Sequence, residues 1–102
     1  MATRCACWVD RLRALPQGLT AYRQTPEFTE QTVPAGLLRD HSTKVGVWGL
    51  IHVTAGELIY RLTASGEELR LAPTSPPAVI EPEALHSVEL AGAVTFYVEF
   101  WR

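Results

Sequence analysis

The chain has 102 residues, a length that favours a single domain with one modest core. Hydrophobic residues make up 47% of it, the formal net charge is −2, and no run approaches the roughly 20 apolar residues of a membrane-spanning helix. This composition excludes a disordered chain and a membrane protein, and the lack of any cluster of Lys and Arg argues against a nucleic-acid partner.

Residues 1–14 form a compositional unit of their own, which we predict to be an N-terminal extension that is flexible or forms a short helix. Cys5 and Cys7 are two positions apart, too close for an unstrained disulfide, and they lack the CxxC spacing of a redox or zinc site. We interpret them as free thiols. Since no disulfide framework is visible, we expect a reducing compartment and a cytoplasmic protein.

The domain itself is predicted to cover residues 15–102, starting with a Pro-x-Gly turn signal at 16–18. The first predicted strand covers residues 19–28, and Pro26 suits an edge strand because proline cannot donate to a β-ladder. A loop then leads to a second predicted strand at residues 36–42, GLLRDHS.

Two strongly β-prone runs follow, WGLIHV at residues 48–53 and ELIYRLT at residues 57–63. Gly56 lies between them and permits a positive φ, so the pattern predicts a β-hairpin that turns at residues 54–56. A tight turn around Ser65-Gly66 precedes a further short strand, ELRLA.

The segment 72–85 holds four of the seven prolines, which excludes a helix and frames a short strand around residues 78–80. Residues 86–90 form another predicted strand, Gly92 turns the chain, and residues 94–101 form the last strand. Alternation places three apolar side chains on one face of that last strand: Phe96, Val98 and Phe100. Seven to nine short strands at these spacings are typical of an antiparallel sandwich or small barrel.

Several stretches together carry a family resemblance: LPQGLTAYRQTPEFTEQTVPAGLL, DHSTKVGVWGLIHV, GELIY, EPEALHSVE and FYVEFW. In these stretches the chain resembles the TehB/YeaR-like small cupin family. The resemblance implies an all-β cupin fold, the double-stranded β-helix or RmlC-like jelly-roll barrel, and a homodimer. Members occur alone or ahead of a methyltransferase domain in tellurite-resistance proteins, and we expect a stand-alone chain without that domain.

The resemblance also identifies candidate metal ligands, because metal cupins use two His and a Glu from one motif and a His from a second. Here His41 matches the first motif, whereas Thr43 and Gly49 stand where a second His and the Glu are expected. The second motif keeps Pro82 and His86. Two of four ligand positions are therefore filled.

Each histidine has two interpretations. His41 and His86 are metal ligands or general bases at the barrel mouth, or they are hydrogen-bonded to loop backbone. His52 is a third possible ligand, but alternation with Ile51 and Val53 predicts that it faces outward as a partly buried surface histidine.

Three further residues are pocket candidates. Glu99 can complete a two-His-one-carboxylate metal site or is a solvated carboxylate. Lys44, the only lysine, can bind an anionic ligand or is a solvated loop cation. Trp48 is a ligand-stacking residue or a core filler.

We therefore expect a binding domain that holds a small molecule or one divalent metal ion (Zn, Fe or Ni) and no nucleotide cofactor, with a role in tellurite, oxyanion or nitrosative stress. The alternative is a metal-dependent cupin enzyme that uses Fe or Zn on an unknown substrate. We expect no membrane partner.

Overall fold

The computed structural model describes residues 15–102 and contains six strands and one short 3-10 helix. In chain order these are β1 (Ala21–Gln24), β2 (Phe28–Thr29), the 3-10 helix (Ala35–Leu38), β3 (Trp48–Leu62), β4 (Glu68–Leu71), β5 (Ala78–Ile80) and β6 (His86–Trp101). The predicted all-β antiparallel class is confirmed. The possible helix within residues 1–14 lies outside the described residues. No helix between residues 15 and 102 is long and apolar enough to cross a membrane.

The two long strands β3 and β6 pair with each other along their whole lengths and form the centre of the sheet. On the outer side of β6 lie β1 and β2, and on the outer side of β3 lie β5 and β4. Over residues 15–102 the sheet order is β1-β6-β3-β4, and this path does not close on itself. The described sheet is therefore open, and it does not show the closed barrel that the resemblance implies.

The predicted hairpin at residues 54–56 is wrong, because β3 runs straight through Gly56 to Leu62. The predicted turn at Gly92 is wrong for the same reason, since β6 is continuous. Both glycines have positive φ, 74° and 85°, and they lie where the pairing of β3 and β6 shifts register. Their freedom produces β-bulges instead of chain reversals. The strands number six in the described part, fewer than the seven to nine expected.

The bulges also explain how both ends of β3 place side chains in the same core. Before them Ile51 is in the core, and after them Leu58 and Tyr60 are, so the inward positions change from odd to even numbers. An unbroken strand would have turned Leu58 to the outside, because side chains alternate with a period of two. Both halves of β3 therefore contribute to a single core, which is shared by these buried residues: Ile51, Leu58, Tyr60, Leu71, Ala78, Ile80, Val88, Val94, Phe96 and Val98.

The strand predicted at residues 36–42 is replaced by the 3-10 helix Ala35–Leu38 and a single β-bridge at His41. Pro34, at φ −63° and ψ 138°, precedes this helix, and the amide of Leu37 donates to its carbonyl at 3.0 Å. The apolar pair Leu37-Leu38 resembled a strand in sequence, but Leu37 packs on the core from a helical turn. This segment brings His41 to the sheet.

Candidate functional site

His41 and His86, the two histidines matched to the cupin motifs, meet in space. They form an antiparallel bridge in which the His41 amide donates to the His86 carbonyl at 2.9 Å and the His86 amide donates to the His41 carbonyl at 2.8 Å. Their imidazole rings are in edge contact, with centroids 4.1 Å apart and planes at 63°. The start of β6 and the loop after the 3-10 helix thus place two imidazoles side by side.

Both rings are oriented by a backbone carbonyl two residues earlier in the chain. Nδ1 of His41 lies 2.8 Å from the carbonyl oxygen of Arg39, and Nδ1 of His86 lies 2.9 Å from that of Ala84. A carbonyl oxygen only accepts hydrogen bonds, so Nδ1 carries the proton in both rings. In the neutral state Nε2 of each ring is then left with a lone pair, which can accept a hydrogen bond or ligate a metal.

His86 is the buried member of the pair, with 1% of its surface exposed. Burial lowers its pKa, the neighbouring His41 lowers it further, and the hydrogen bond to the Ala84 carbonyl acts in the opposite direction. His86 is consequently neutral at pH 7, and its Nε2 is an acceptor.

Tyr60 packs against His86, with ring centroids 5.4 Å apart. Its hydroxyl is buried and has no hydrogen-bond partner within the described part of the chain. Burial, with a smaller contribution from the negative charge of Glu81, raises the pKa of Tyr60 to about 12. The phenol therefore stays protonated beside the histidine pair.

A cavity of about 580 Å³ opens beside the two histidines, within the size range of small-molecule sites. Its wall is mostly apolar and comes from the inward faces of β3, β5 and β6, from β1 and β2, and from the loops around the 3-10 helix. It is lined by Tyr22, Arg23, Thr25, Phe28, Pro34, Gly36, Leu37, His41, Ser42, Thr43, Lys44, Val47, Ile51, Ile80, His86, Val88, Phe96, Val98 and Phe100.

Thr43 and Gly49, which stand where the family resemblance predicts two further ligands, have different structural environments. Thr43 lines the cavity, and its hydroxyl donates to the Val47 carbonyl at 2.7 Å. At Gly49 an added Cβ would lie 3.0 Å from Cδ1 of Ile80, so this residue from β5 occupies the space of a side chain there. A glutamate at position 49 requires Ile80 to move.

Lys44 is the one predicted pocket residue besides the two histidines that lines this cavity. His52 and Glu99 instead meet each other, with Nε2 of His52 2.7 Å from Oε1 of Glu99, and His52 stacks on Tyr97 at 4.7 Å. They lie on the opposite face of β3 and β6, as alternation with the core residue Ile51 requires.

Trp48 is paired in register with Trp101 at the end of the sheet, and it is not among the residues that line the cavity. Among residues 15–102 no group of three or more His, Cys, Asp or Glu is arranged to hold a metal ion. The structure therefore does not bring Glu99 or His52 to the His41–His86 pair, and a metal there would have two imidazole ligands.

Two residues of the site were not singled out from the sequence. Whether Tyr60 faces the core or the solvent depends on the bulge at Gly56. The predicted hairpin left this open, so the sequence did not identify Tyr60 as a neighbour of His86. Arg23 lies on the edge strand β1 and lines the cavity, but a single arginine in a weakly alternating run carries no distinctive pattern.

Comparison with known proteins identifies relatives of this chain. The family model of the TehB-like domain matches residues 23–98. A probable S-adenosyl-L-methionine-dependent methyltransferase, TehB of Haemophilus influenzae, is 37% identical over 75 residues, which are 70% of this chain and 26% of TehB. The chain thus spans about a quarter of the length of this relative.

Two solved structures are similar as well. The crystal structure of TehB from Haemophilus influenzae has a TM-score of 0.75 at 32% identity and is matched over 83% of this chain and 32% of that one. An Escherichia coli K12 protein has a TM-score of 0.79 at 26% identity over 86% of this chain and 94% of that one. Since the family model covers most of the chain, this protein belongs to the TehB-like domain family.

Proposed function

We propose that this TehB-like domain is a non-catalytic binding domain that holds a small ligand in its cavity, with His41 and His86 at the polar end. The observation that carries the proposal is the convergence of these two imidazoles, from segments far apart in sequence, at an apolar cavity of about 580 Å³. An apolar pocket with a few converging polar groups is the usual form of a small-molecule site.

The hydrogen bonds of the histidines define what such a ligand offers. Because Nδ1 of each ring faces a carbonyl, the neutral pair presents Nε2 acceptors. The group that binds there accepts an electron pair, so it is an N–H or O–H donor of an organic molecule or a divalent ion such as Zn, Fe or Ni.

A catalytic metal fits this site less well than a hydrogen-bonding ligand. Catalytic zinc and the two-His-one-carboxylate iron sites use three protein ligands, and the described residues bring together only two. We therefore prefer the binding domain to the alternative, an Fe- or Zn-dependent cupin enzyme.

The cupin jelly roll remains part of the proposal. It is supported by the position of residues 41, 43 and 86, which match cupin ligand positions and all line the cavity. The family resemblance favours a homodimer with a role in tellurite, oxyanion or nitrosative stress, and the lack of a disulfide framework in the sequence favours the cytoplasm. We propose this setting for the domain.

The test combines one neutral probe and two metal ions. We expect folded wild-type protein to bind N-phenyl-1-naphthylamine, an apolar amine with a single N–H donor, with a rise in dye fluorescence. Titration calorimetry with Zn²⁺ and Ni²⁺, and elemental analysis of untagged protein, measure metal binding separately.

Variants at the histidines assign the site. Because the probe has one N–H donor, only the variant that removes its acceptor, His41→Ala or His86→Gln, should weaken probe binding, by about fivefold, roughly the loss of one hydrogen bond; both variants should weaken metal binding by at least that factor. His52→Ala is the matched control, since His52 lies on the other face of the sheet, and it should bind like the wild type. Absence of any binding by the folded protein, or equal binding by all three variants, contradicts the proposal.

A further inference from the structure

The formal charges on the cavity wall have one sign. Arg23 from β1 and Lys44 from the loop before β3 are its charged residues, and none of the described lining residues is an Asp or Glu. The chain as a whole has the opposite balance, with a formal net charge of −2. Positive charge is therefore concentrated at this cavity against the overall charge.

Neither cation has an acidic partner among the described residues. Across residues 15–102, Arg23 and Lys44 form no ion pair. By contrast, Arg61 binds Glu68 and Glu89 at 2.6 and 2.9 Å, and Arg70 binds Glu57 at 2.6 Å. The two cavity cations are exposed and available to a ligand.

The rest of the wall indicates the body of that ligand. Most lining side chains are aliphatic or aromatic, and a cavity of about 580 Å³ is large for a small inorganic ion. An oxyanion bound alone at the two cations would leave the apolar surface in contact with water, whereas an organic body removes that surface from water.

We infer that the cavity binds a small organic anion, a carboxylate or sulfonate with an apolar ring or branched body, whose charge is held by Arg23 and Lys44. This inference rests on the proposed binding function and specifies its ligand class. The apolar body lies along the core face of the sheet, and an N–H or O–H on it meets the histidine acceptors.

The test compares two dyes that differ by one anionic group. 8-Anilinonaphthalene-1-sulfonate and N-phenyl-1-naphthylamine share the same rings and the same N–H, and only the first carries a sulfonate. We expect the sulfonate dye to bind at least about tenfold more tightly, which corresponds to about 1.4 kcal/mol. We also expect its affinity, but not that of the neutral dye, to fall as NaCl is raised.

Charge-removing variants locate the effect. Arg23→Gln and Lys44→Gln should each weaken the sulfonate dye about threefold, and the double variant about tenfold, while the neutral dye binds as before. Arg70→Gln is the control, because Arg70 on β4 is exposed and does not line the cavity. Ser42→Trp, an exposed lining position, should block both dyes.

The outcomes separate this inference from the function on which it rests. If neither dye binds, both fail. If the neutral dye binds and the sulfonate dye binds no better, or if Arg70→Gln weakens binding of the sulfonate dye as much as Lys44→Gln does, the anion inference alone is overturned. Displacement of the sulfonate dye by tellurite at an equal concentration overturns it as well, since the site would then select an inorganic oxyanion. If the sulfonate dye still binds to Ser42→Trp, it binds outside the cavity, and the anion inference is overturned as well.

Discussion

At the scale of single residues, the chemistry of the site is decided by two backbone carbonyls. By accepting from Nδ1 of His41 and His86, the carbonyls of Arg39 and Ala84 fix the tautomer of both rings and leave Nε2 as the acceptor. The sequence predicted both histidines from their motif positions. It could not predict the tautomers, because these depend on the local path of the backbone.

The buried state of His86 predicts a pH dependence of stability. Its pKa is lowered in the folded state, so the unfolded chain binds the proton more readily and the free energy of unfolding falls as the pH decreases below about 6.5. The contribution is complete above that pH and is lost toward the folded-state pKa, with a slope of up to about 1.4 kcal/mol per pH unit.

Urea unfolding of wild type and His86→Gln between pH 7.5 and 5 measures this slope. The free energy of unfolding of the wild type minus that of His86→Gln should decrease as the pH falls, because only the wild type carries the buried imidazole. A difference that stays constant across this range contradicts a lowered pKa at His86.

Tyr60 supplies a second prediction at this scale. Its buried hydroxyl lacks a partner in the described residues, so removing it relieves an unsatisfied polar group. Tyr60→Phe should be neutral or should stabilise the protein by up to about 2 kcal/mol in urea unfolding. A loss of more than about 1 kcal/mol would mean that the hydroxyl has a hydrogen-bond partner in solution.

At the scale of elements, the bulges of β3 and β6 determine which side chains of β3 enter the core. The sequence predicted that the chain reverses at Gly56 and at Gly92. A glycine that permits positive φ is equally typical of a tight turn and of a β-bulge, so the sequence does not distinguish the two. The deciding interaction is non-local, because Gly56 packs directly on the backbone of Ala93. The sequence therefore predicts the β-character of these stretches but not their continuity.

Two alanine substitutions test the role of Gly56. Gly56 and Gly66 both have φ +74°, but a Cβ at Gly56 collides with the carbonyl oxygen of Ala93, whereas a Cβ at Gly66 points into open space within the described structure. Gly66→Ala should cost about 1 kcal/mol from backbone strain alone, and Gly56→Ala about 2–4 kcal/mol. Equal costs in urea unfolding contradict the close packing of the two bulges.

At the scale of the whole molecule, the sheet has two chemically different faces. One is the core and cavity face, with the histidine pair, and the other carries His52, Glu99 and Tyr97. Alternation along β3 predicted that His52 faces away from Ile51, and the structure places it there. The contact between His52 and Glu99 follows from the pairing register of β3 and β6, which alternation along either strand alone does not define.

The proposed homodimer is a prediction about the mass of the whole molecule in solution. Light scattering during gel filtration of the full chain should give twice the chain mass of 11.3 kDa. A mass of one chain at concentrations well above the micromolar range contradicts the homodimer and leaves the cavity proposals unaffected.

The central claim, that His41 and His86 form the polar end of one ligand site, is tested most directly by side-chain ¹H–¹⁵N spectra of the histidines during titration with N-phenyl-1-naphthylamine. Before titration, Nδ1 should be the protonated nitrogen of both rings at pH 7. On titration, the Nε2 signals of both should shift together and saturate at the same dye concentration, while those of His52 stay in place. Dye binding that leaves the His41 and His86 signals unchanged, or that moves His52 instead, contradicts the account.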